Sequence, residues 1–161
     1  MPTLEDRERL PYLNAVLLED MRYRTVGPLG VPHRATTSCD VGGFNIPEGA
    51  QVSGNVYSIH HDSRFWDSPT EFIPDRFLPL ADGSPSPAIT NNAFIPFGVG
   101  HRACPGRQLG EIVIWTHARR LLHRYQFRVS GREGDQLPEN EVFGLTIAPK
   151  LFSLEVTRRR S

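Results

Sequence analysis

Long apolar runs are missing from this sequence: no stretch approaches the roughly 20 apolar residues needed to cross a bilayer. The opening MPTLEDRERL alternates acids and bases and has no apolar signal region. This chain by itself is therefore expected to carry neither an anchor nor an export signal. Net charge is missing too. Lys plus Arg number 18 and Asp plus Glu number 18, so nothing draws the chain to a polyanion, and no nucleic acid partner is expected. Cysteine is scarce. Cys39 and Cys104 are too few to staple a secreted scaffold, and a reducing compartment suits them better. No internal repeat occurs. Turn chemistry, by contrast, is abundant: the chain has 14 Gly and 14 Pro, most of them clustered between Gly27 and Pro105, which confines long helices to either side of that region.

Two such helices are expected. In Leu10–Arg24, Leu10, Leu13, Leu17 and Met21 recur at helical spacing, with Ala15, Val16 and Leu18 on much of the other face. A helix apolar nearly all round is a buried one, and Pro11 suits its first turn. The second helix runs from about Gln108 to Tyr125, with Leu109, Ile112, Val113, Ile114, Trp115, Leu121 and Leu122 around its circumference. Arg119, Arg120 and Arg124 lie in its last turns, at the negative end of the dipole. Short strands are expected at His33–Ser38, Phe44–Ile46, Ala50–Gly54, Phe127–Val129, Leu145–Ala148 and Leu151–Val156. Asp40-Val41-Gly42-Gly43, Pro47-Glu48-Gly49 and Ala148-Pro149-Lys150 read as turns, and Tyr57–His61 as a turn or two of helix. Residues 62–92 read mostly as loop, and so long an irregular stretch is normally functional or packed over something. The fold class expected is mainly α with small β-sheets (α+β).

The chemistry concentrates in Phe97-Gly98-Val99-Gly100-His101-Arg102-Ala103-Cys104-Pro105-Gly106. This is a glycine-bearing loop that delivers a cysteine to the start of a helix. Gly98 and Gly100 permit tight turns and close approach of a flat ligand. Cys104 falls where helix N–H groups lack partners and the dipole is positive, which suits the thiolate, the form that binds metal. Pro105 has no N–H, so Gly106 and Arg107 are the expected donors to the sulfur. Arg102 adds a cation, and Phe97 can pack on a ligand face.

The segment meets F-x-x-G-x-R-x-C-x-G at every fixed position and so resembles the haem-binding loop of the cytochrome P-450 superfamily. Two further motifs agree. Glu19 and Arg22 match the E-x-x-R motif, and Phe72-Ile73-Pro74-Asp75-Arg76-Phe77 resembles the later segment whose arginine, here Arg76, completes a Glu-Arg-Arg scaffold behind the loop. The resemblance runs from about Leu10 to Arg158 and is nearest to the microsomal, drug- and steroid-oxidising animal group.

The resemblance implies a C-terminal, incomplete portion of that fold: a single partial domain over 1–161, with the E-x-x-R helix at 10–24, the haem-ligand loop at 97–106 and the proximal helix at 107–125. It implies haem b (heme b, iron protoporphyrin IX) with Cys104 as catalytic residue and metal ligand. His33, Phe97, Gly98, Arg102, Cys104 and Gly106 would contact the cofactor. Arg102 would pair a propionate through a guanidinium fork, and His33, or its neighbour Arg34, would bond another. Gly27–Val31 and Phe143–Thr146 match places where family members meet substrate. In the whole protein the activity would be monooxygenation of a small lipophilic organic substrate by O2. Electrons would come from NADPH through a flavoprotein reductase docking near Arg102, Arg107 and the arginines of the second helix. The location implied is the cytosolic face of the endoplasmic reticulum membrane, through an amino-terminal anchor that this sequence lacks. The central helix with its acid–alcohol pair is also lacking, so the isolated chain is expected to expose a large apolar patch and to be inactive. A non-catalytic fragment without haem and a haem-thiolate isomerase remain alternatives. So does a zinc module using Cys104, His101, His60 and His61.

Overall fold

The computed structural model describes residues 4–130 and 141–160. A short 3-10 helix, Leu4–Arg9, leads into helix α1, Pro11–Tyr23, which opens on Pro11 at its first position, where a missing N–H is harmless. The fully buried residues of α1 are Ala15, Glu19 and Arg22, one stripe at helical spacing, whereas Leu13, Val16, Leu17, Leu18 and Met21 are half-buried and Tyr12 is exposed. The expectation of an apolar buried helix needs correcting on that point. The face turned fully inward carries an ion pair.

Four short strands follow as two nested ribbons. β1 (His33–Arg34) pairs with β4 (Gln51–Val52), and between them β2 (Cys39–Val41) pairs with β3 (Phe44–Ile46), both antiparallel. Asp40 and Val41 are therefore strand residues, not turn residues. The turn is the two-residue Gly42-Gly43, with φ of 60° and 85°, which matches the right-handed twist of the flanking strands as only glycine does cheaply. His33–Ser38 shortens to two strand residues, and Ala50–Gly54 likewise to Gln51 and Val52. Helix α2, Val56–His60, is capped by Asn55, whose side chain accepts from Ser58 N–H at 2.9 Å. From residue 62 to 99 the chain is irregular but for a 3-10 turn at Pro74–Phe77.

That irregular stretch wraps α1 and supplies much of the core. Ala15, Trp66, Phe77 and Ala93 are buried together, with Leu18, Ile59, Leu78, Ala88 and Phe94 against them. The rings interlock, Phe77 with Phe94 at 4.9 Å and Trp66 with Phe77 at 6.1 Å between centroids, an arrangement aromatic quadrupoles favour over face-to-face stacking. Trp66 Nε1 donates to Ile59 O at 3.2 Å, so the indole is buried without leaving its N–H unpaired.

Helix α3, Arg107–Arg124, runs straight into β5 (Tyr125–Val129), which pairs with β8 (Leu154–Arg158). β6 (Glu141–Phe143) pairs with β7 (Ile147–Pro149), so Ala148 and Pro149 lie in a strand and the hairpin turns at 144–146 instead. Gly144 N–H bonds Thr146 O at 3.1 Å to close that turn. Pro149 is tolerated because it ends an outer strand, where no N–H is required. The described residues thus form a mainly α fold with four two-stranded sheets, as expected.

Only Trp115 and Arg119 of α3 are buried. Leu109 is 67% exposed, Val113 44% and Ile112 40%, a contiguous apolar face at i, i+3, i+4 spacing. The chain should therefore bind a dye such as anilinonaphthalene sulfonate in its folded state. Leu109→Gln with Val113→Gln should lower that fluorescence while shifting unfolding stability by no more than about 0.5 kcal/mol, since neither side chain is buried. Both quantities are read from one urea titration.

Candidate functional site

Glu19 and Arg22 lie three residues apart on α1 and form a two-pronged pair: Arg22 Nε to Glu19 Oε2 at 2.7 Å and Nη2 to Oε1 at 2.8 Å, both side chains wholly buried. The remaining guanidinium protons are all used. Nη1 donates to His60 O at 2.7 Å and to Pro69 O at 2.9 Å, and Nη2 donates also to Glu71 O at 3.0 Å. All five donors of the fork thus have acceptors. Glu19 is saturated as well, since Oε1 also accepts Ile73 N–H at 2.8 Å and Arg76 Nε at 3.2 Å. Arg76, in the 3-10 turn and only 12% exposed, reaches on to Asp67 O at 2.9 Å and Ser68 O at 3.3 Å. Residues Asp67 to Arg76 are therefore held by their backbone carbonyls rather than by regular structure.

His60 extends this assembly toward the cysteine loop. Its Nδ1 lies 2.7 Å from Thr25 Oγ1, Thr25 Oγ1 donates to Arg22 O at 3.0 Å, and Nε2 accepts Ile95 N–H at 3.0 Å. Burial first, then the charges of Arg22 and His61, push the His60 pKa from 6.5 down to about 4. With both ring nitrogens engaged, His60 cannot ligate zinc, and no cluster of three or more His, Cys, Asp or Glu suited to a metal ion occurs among the described residues.

Beyond Ile95 the loop is shaped by two glycines in the left-handed region, Gly98 at φ 71° and Gly100 at φ 70°, which other residues adopt only with strain. Gly98 N–H bonds Ile95 O at 3.0 Å, Ala103 N–H bonds Gly100 O at 3.0 Å, and Cys104 N–H bonds Phe97 O at 2.8 Å. This closes the loop on itself and leaves the Cys104 thiol free and exposed. Arg107 N–H bonds Cys104 O at 3.3 Å, so it is engaged by the carbonyl rather than by the sulfur as expected. Gly106, just before α3, is packed so that a Cβ there would meet Cys104 Sγ at 3.9 Å. Phe97 is half-buried, with Gly110 beneath its ring and the Arg107 guanidinium 5.8 Å from its centroid.

Other expected residues are placed less closely. Arg102 is exposed in a 3-10 turn, Gly100–Arg102, and its guanidinium makes no hydrogen bond among the described residues. His33 is exposed in β1 opposite Val52, and no hydrogen bond joins it to the 97–106 loop among the described residues. Ile147 N–H bonds Val26 O at 3.0 Å, which joins residues that flank Gly27–Val31 and Phe143–Thr146. Arg119 leaves the expected docking surface. It is 7% exposed, with its guanidinium 4.7 Å from the Trp115 ring centroid, and Arg107 is paired to Glu111 at 2.9 Å.

A family model described as Cytochrome P-450 matches residues 1–156. The chain belongs to the cytochrome P-450 family. Curated P-450 relatives include cytochrome P-450 2U1 of Bos taurus, 34% identical over 98% of this chain and 28% of its own length. Cytochrome P-450 1A1 of Balaenoptera acutorostrata is 39% identical over 91% of this chain and 28% of its own. The chain thus spans under a third of the length of these curated relatives. Among solved structures, a zebra fish cytochrome P-450 with abiraterone superposes with a TM-score of 0.86 at 35% identity, covering 99% of this chain and 36% of that one. The fold described above is therefore a portion of the P-450 fold.

Two predictions follow from the buried network. Glu19→Gln leaves the Arg22 guanidinium buried without its carboxylate and should cost about 3–5 kcal/mol in urea unfolding. His60 is neutral in the folded state below the pH at which the unfolded chain takes up a proton. Its contribution is therefore complete above pH 6.5 and lost as pH falls toward about 4, because the unfolded state then binds the extra proton. The total loss should be on the order of 3 kcal/mol, read from urea midpoints at several pH values. Burial lowers His61 as well, in the same direction, so His60→Gln should flatten most of this slope and not all of it.

Proposed function

We propose that residues 1–161 form one unit of a haem-thiolate monooxygenase, with Cys104 as the proximal ligand of haem b. The exposed thiol at the end of a loop closed by the Cys104–Phe97 backbone bond carries the reading. The residues suit the group. A thiol is a fit ligand for haem iron, and Gly98 and Gly100 put no Cβ on their turns, so a flat ring could approach the backbone closely. Phe97 offers a ring in the same loop, Gly106 leaves room next to Sγ, and Arg102 has donors free for a carboxylate. His33 is the weaker contact, since only its exposure favours it.

When bound, the haem would supply the activation of O2 and insertion of one oxygen atom into a small lipophilic substrate. This chain's residues would hold and orient it. Cys104 would present its sulfur from a loop closed on itself by the Gly98–Ile95 and Cys104–Phe97 backbone bonds. Glu19, Arg22 and Arg76 act behind the loop as scaffold and touch no reacting atom. Gly27–Val31 and Phe143–Thr146, whose flanking residues Val26 and Ile147 are joined by a backbone bond, would line the substrate side. In the whole enzyme, electrons would arrive from NADPH through a flavoprotein reductase, for which exposed Arg102, Arg120 and Arg124 suit a docking face. The family's microsomal relatives support a place at the cytosolic face of the endoplasmic reticulum membrane. No described helix here is long and apolar enough to cross one.

The chain should be mixed with haem, reduced and exposed to carbon monoxide. A red-shifted Soret band of a thiolate-ligated haem is expected, and Cys104→Ser should abolish it while leaving the far-ultraviolet circular dichroism unchanged. Retention of that band in the Ser variant, or its absence from folded wild-type chain, would refute the assignment.

A further inference from the structure

His60 has no part in the chemistry above, yet few side chains are more constrained. It is wholly buried, and its backbone carbonyl is gripped by Arg22 at 2.7 Å. Its proton can be assigned from its neighbours. A backbone N–H can only donate, so the Nε2 that faces Ile95 N–H at 3.0 Å must be bare. The Thr25 hydroxyl proton is spent on Arg22 O at 3.0 Å, so the 2.7 Å contact between Nδ1 and Thr25 Oγ1 is a donation from the ring. One neutral tautomer, protonated on Nδ1, satisfies every group, and the imidazolium would set a second N–H against the Ile95 amide. The lowered proton affinity of the ring agrees with this.

Continuing past the ring, Ile95 O accepts Gly98 N–H at 3.0 Å, and Phe97 O accepts Cys104 N–H at 2.8 Å. Hydrogen bonds and two short covalent steps therefore run from the buried ion pair, through His60, to the thiol-bearing residue. Between His60 and Cys104 lie 43 residues of chain, most of them irregular, that could not hold this distance alone.

We propose that His60 is a positioning residue for the Cys104 loop. In its Nδ1-protonated neutral form it pins the Ile95 amide to the Glu19–Arg22–Arg76 scaffold and so fixes where the sulfur stands. The proposal rests on Cys104 being the iron ligand for its consequence, though not for its geometry. Charged and titratable groups that face the ring are Arg22 from α1 and His61 from its own segment, with the Phe94 ring 6.0 Å away.

The test uses the 161-residue chain, wild type and two variants: His60→Phe, which keeps a ring but neither hydrogen bond, and His60→Gln, whose amide retains one donor and one acceptor. Without haem, nitrogen NMR of wild type should report a bare Nε2 and a protonated Nδ1. In His60→Phe, amide exchange at Ile95 should quicken about tenfold, the worth of one hydrogen bond, and the Gly98 and Cys104 amides should shift while those of the β2–β3 hairpin do not. In His60→Gln these changes should be partly reversed. With haem, reduction and carbon monoxide, His60→Phe should show a smaller share of the thiolate band than wild type, with partial rescue in His60→Gln. A wild-type ring protonated on Nε2 overturns the proposal even if His60→Phe fails to fold. Unchanged Ile95 exchange in a folded His60→Phe also overturns it. If no protein gives a thiolate band, the reading of Cys104 falls, and the tautomer and exchange results still decide whether His60 holds the loop.

Discussion

A buried carboxylate and a buried guanidinium, locked face to face on consecutive turns of one helix, hold the rest of this structure together. Neither charge could leave water alone at tolerable cost. The pair is tenable because every donor of Arg22 and all four acceptor positions used on Glu19 find partners. Those partners are mostly backbone groups of a segment with little regular structure. The ion pair thereby does for residues 60–76 what a sheet ladder does elsewhere. It satisfies peptide groups and fixes the path of the chain. The aromatic core of Trp66, Phe77 and Phe94 then packs on a path already set.

From that anchor the order of dependence runs outward. Arg22 fixes the carbonyl of His60, Thr25 and Ile95 fix its ring, and the ring meets the start of the loop that ends in Cys104. Two left-handed glycines and three backbone bonds complete that loop. The thiol itself is exposed, so the organisation is in the support and the reactive atom is left accessible. That division is what a site needs if the chemistry is carried by a bound group and the protein supplies placement.

The sequence disclosed the loop and the network members well, because each depends on residue type. A glycine is needed at positive φ, a cysteine for a thiolate, and a Glu and an Arg at i, i+3 for one helical face. Helix α1 was legible from Pro11 and its spacing, and α3 from its apolar residues. The burial of Glu19 and Arg22 follows from an otherwise apolar helix, but their partners were not legible, because most are backbone groups of residues 60–73 that no side-chain pattern marks. The role of His60 was hidden for a related reason: its ring meets the Thr25 hydroxyl and the Ile95 amide, and a backbone amide has no side-chain identity to read. The β2 strand was misread because Asp40 serves both roles: its backbone pairs in the strand while its carboxylate accepts Gly43 N–H at 3.0 Å across the turn. The buried Arg119 shows the same limit, since a cation in a last helical turn looks solvated until Trp115 is found beneath it.

The way Arg22 and Arg76 grasp main-chain oxygens sorts the irregular stretch into two regimes of evolutionary freedom. Between Asp67 and Glu71 the grip is on peptide oxygens, so side chains there can vary widely, but the count of residues up to Arg76 cannot. Ahead of Ser86, whose hydroxyl donates to Arg76 O, the tip around Asp82 and Gly83 is closed among the described residues by local bonds: Leu80 N–H to Ser84 O and Gly83 N–H to Leu80 O, both at 2.9 Å, and Ser84 N–H to Asp82 Oδ1. Among descendants of this chain, length should drift at the tip and be frozen at the clamp.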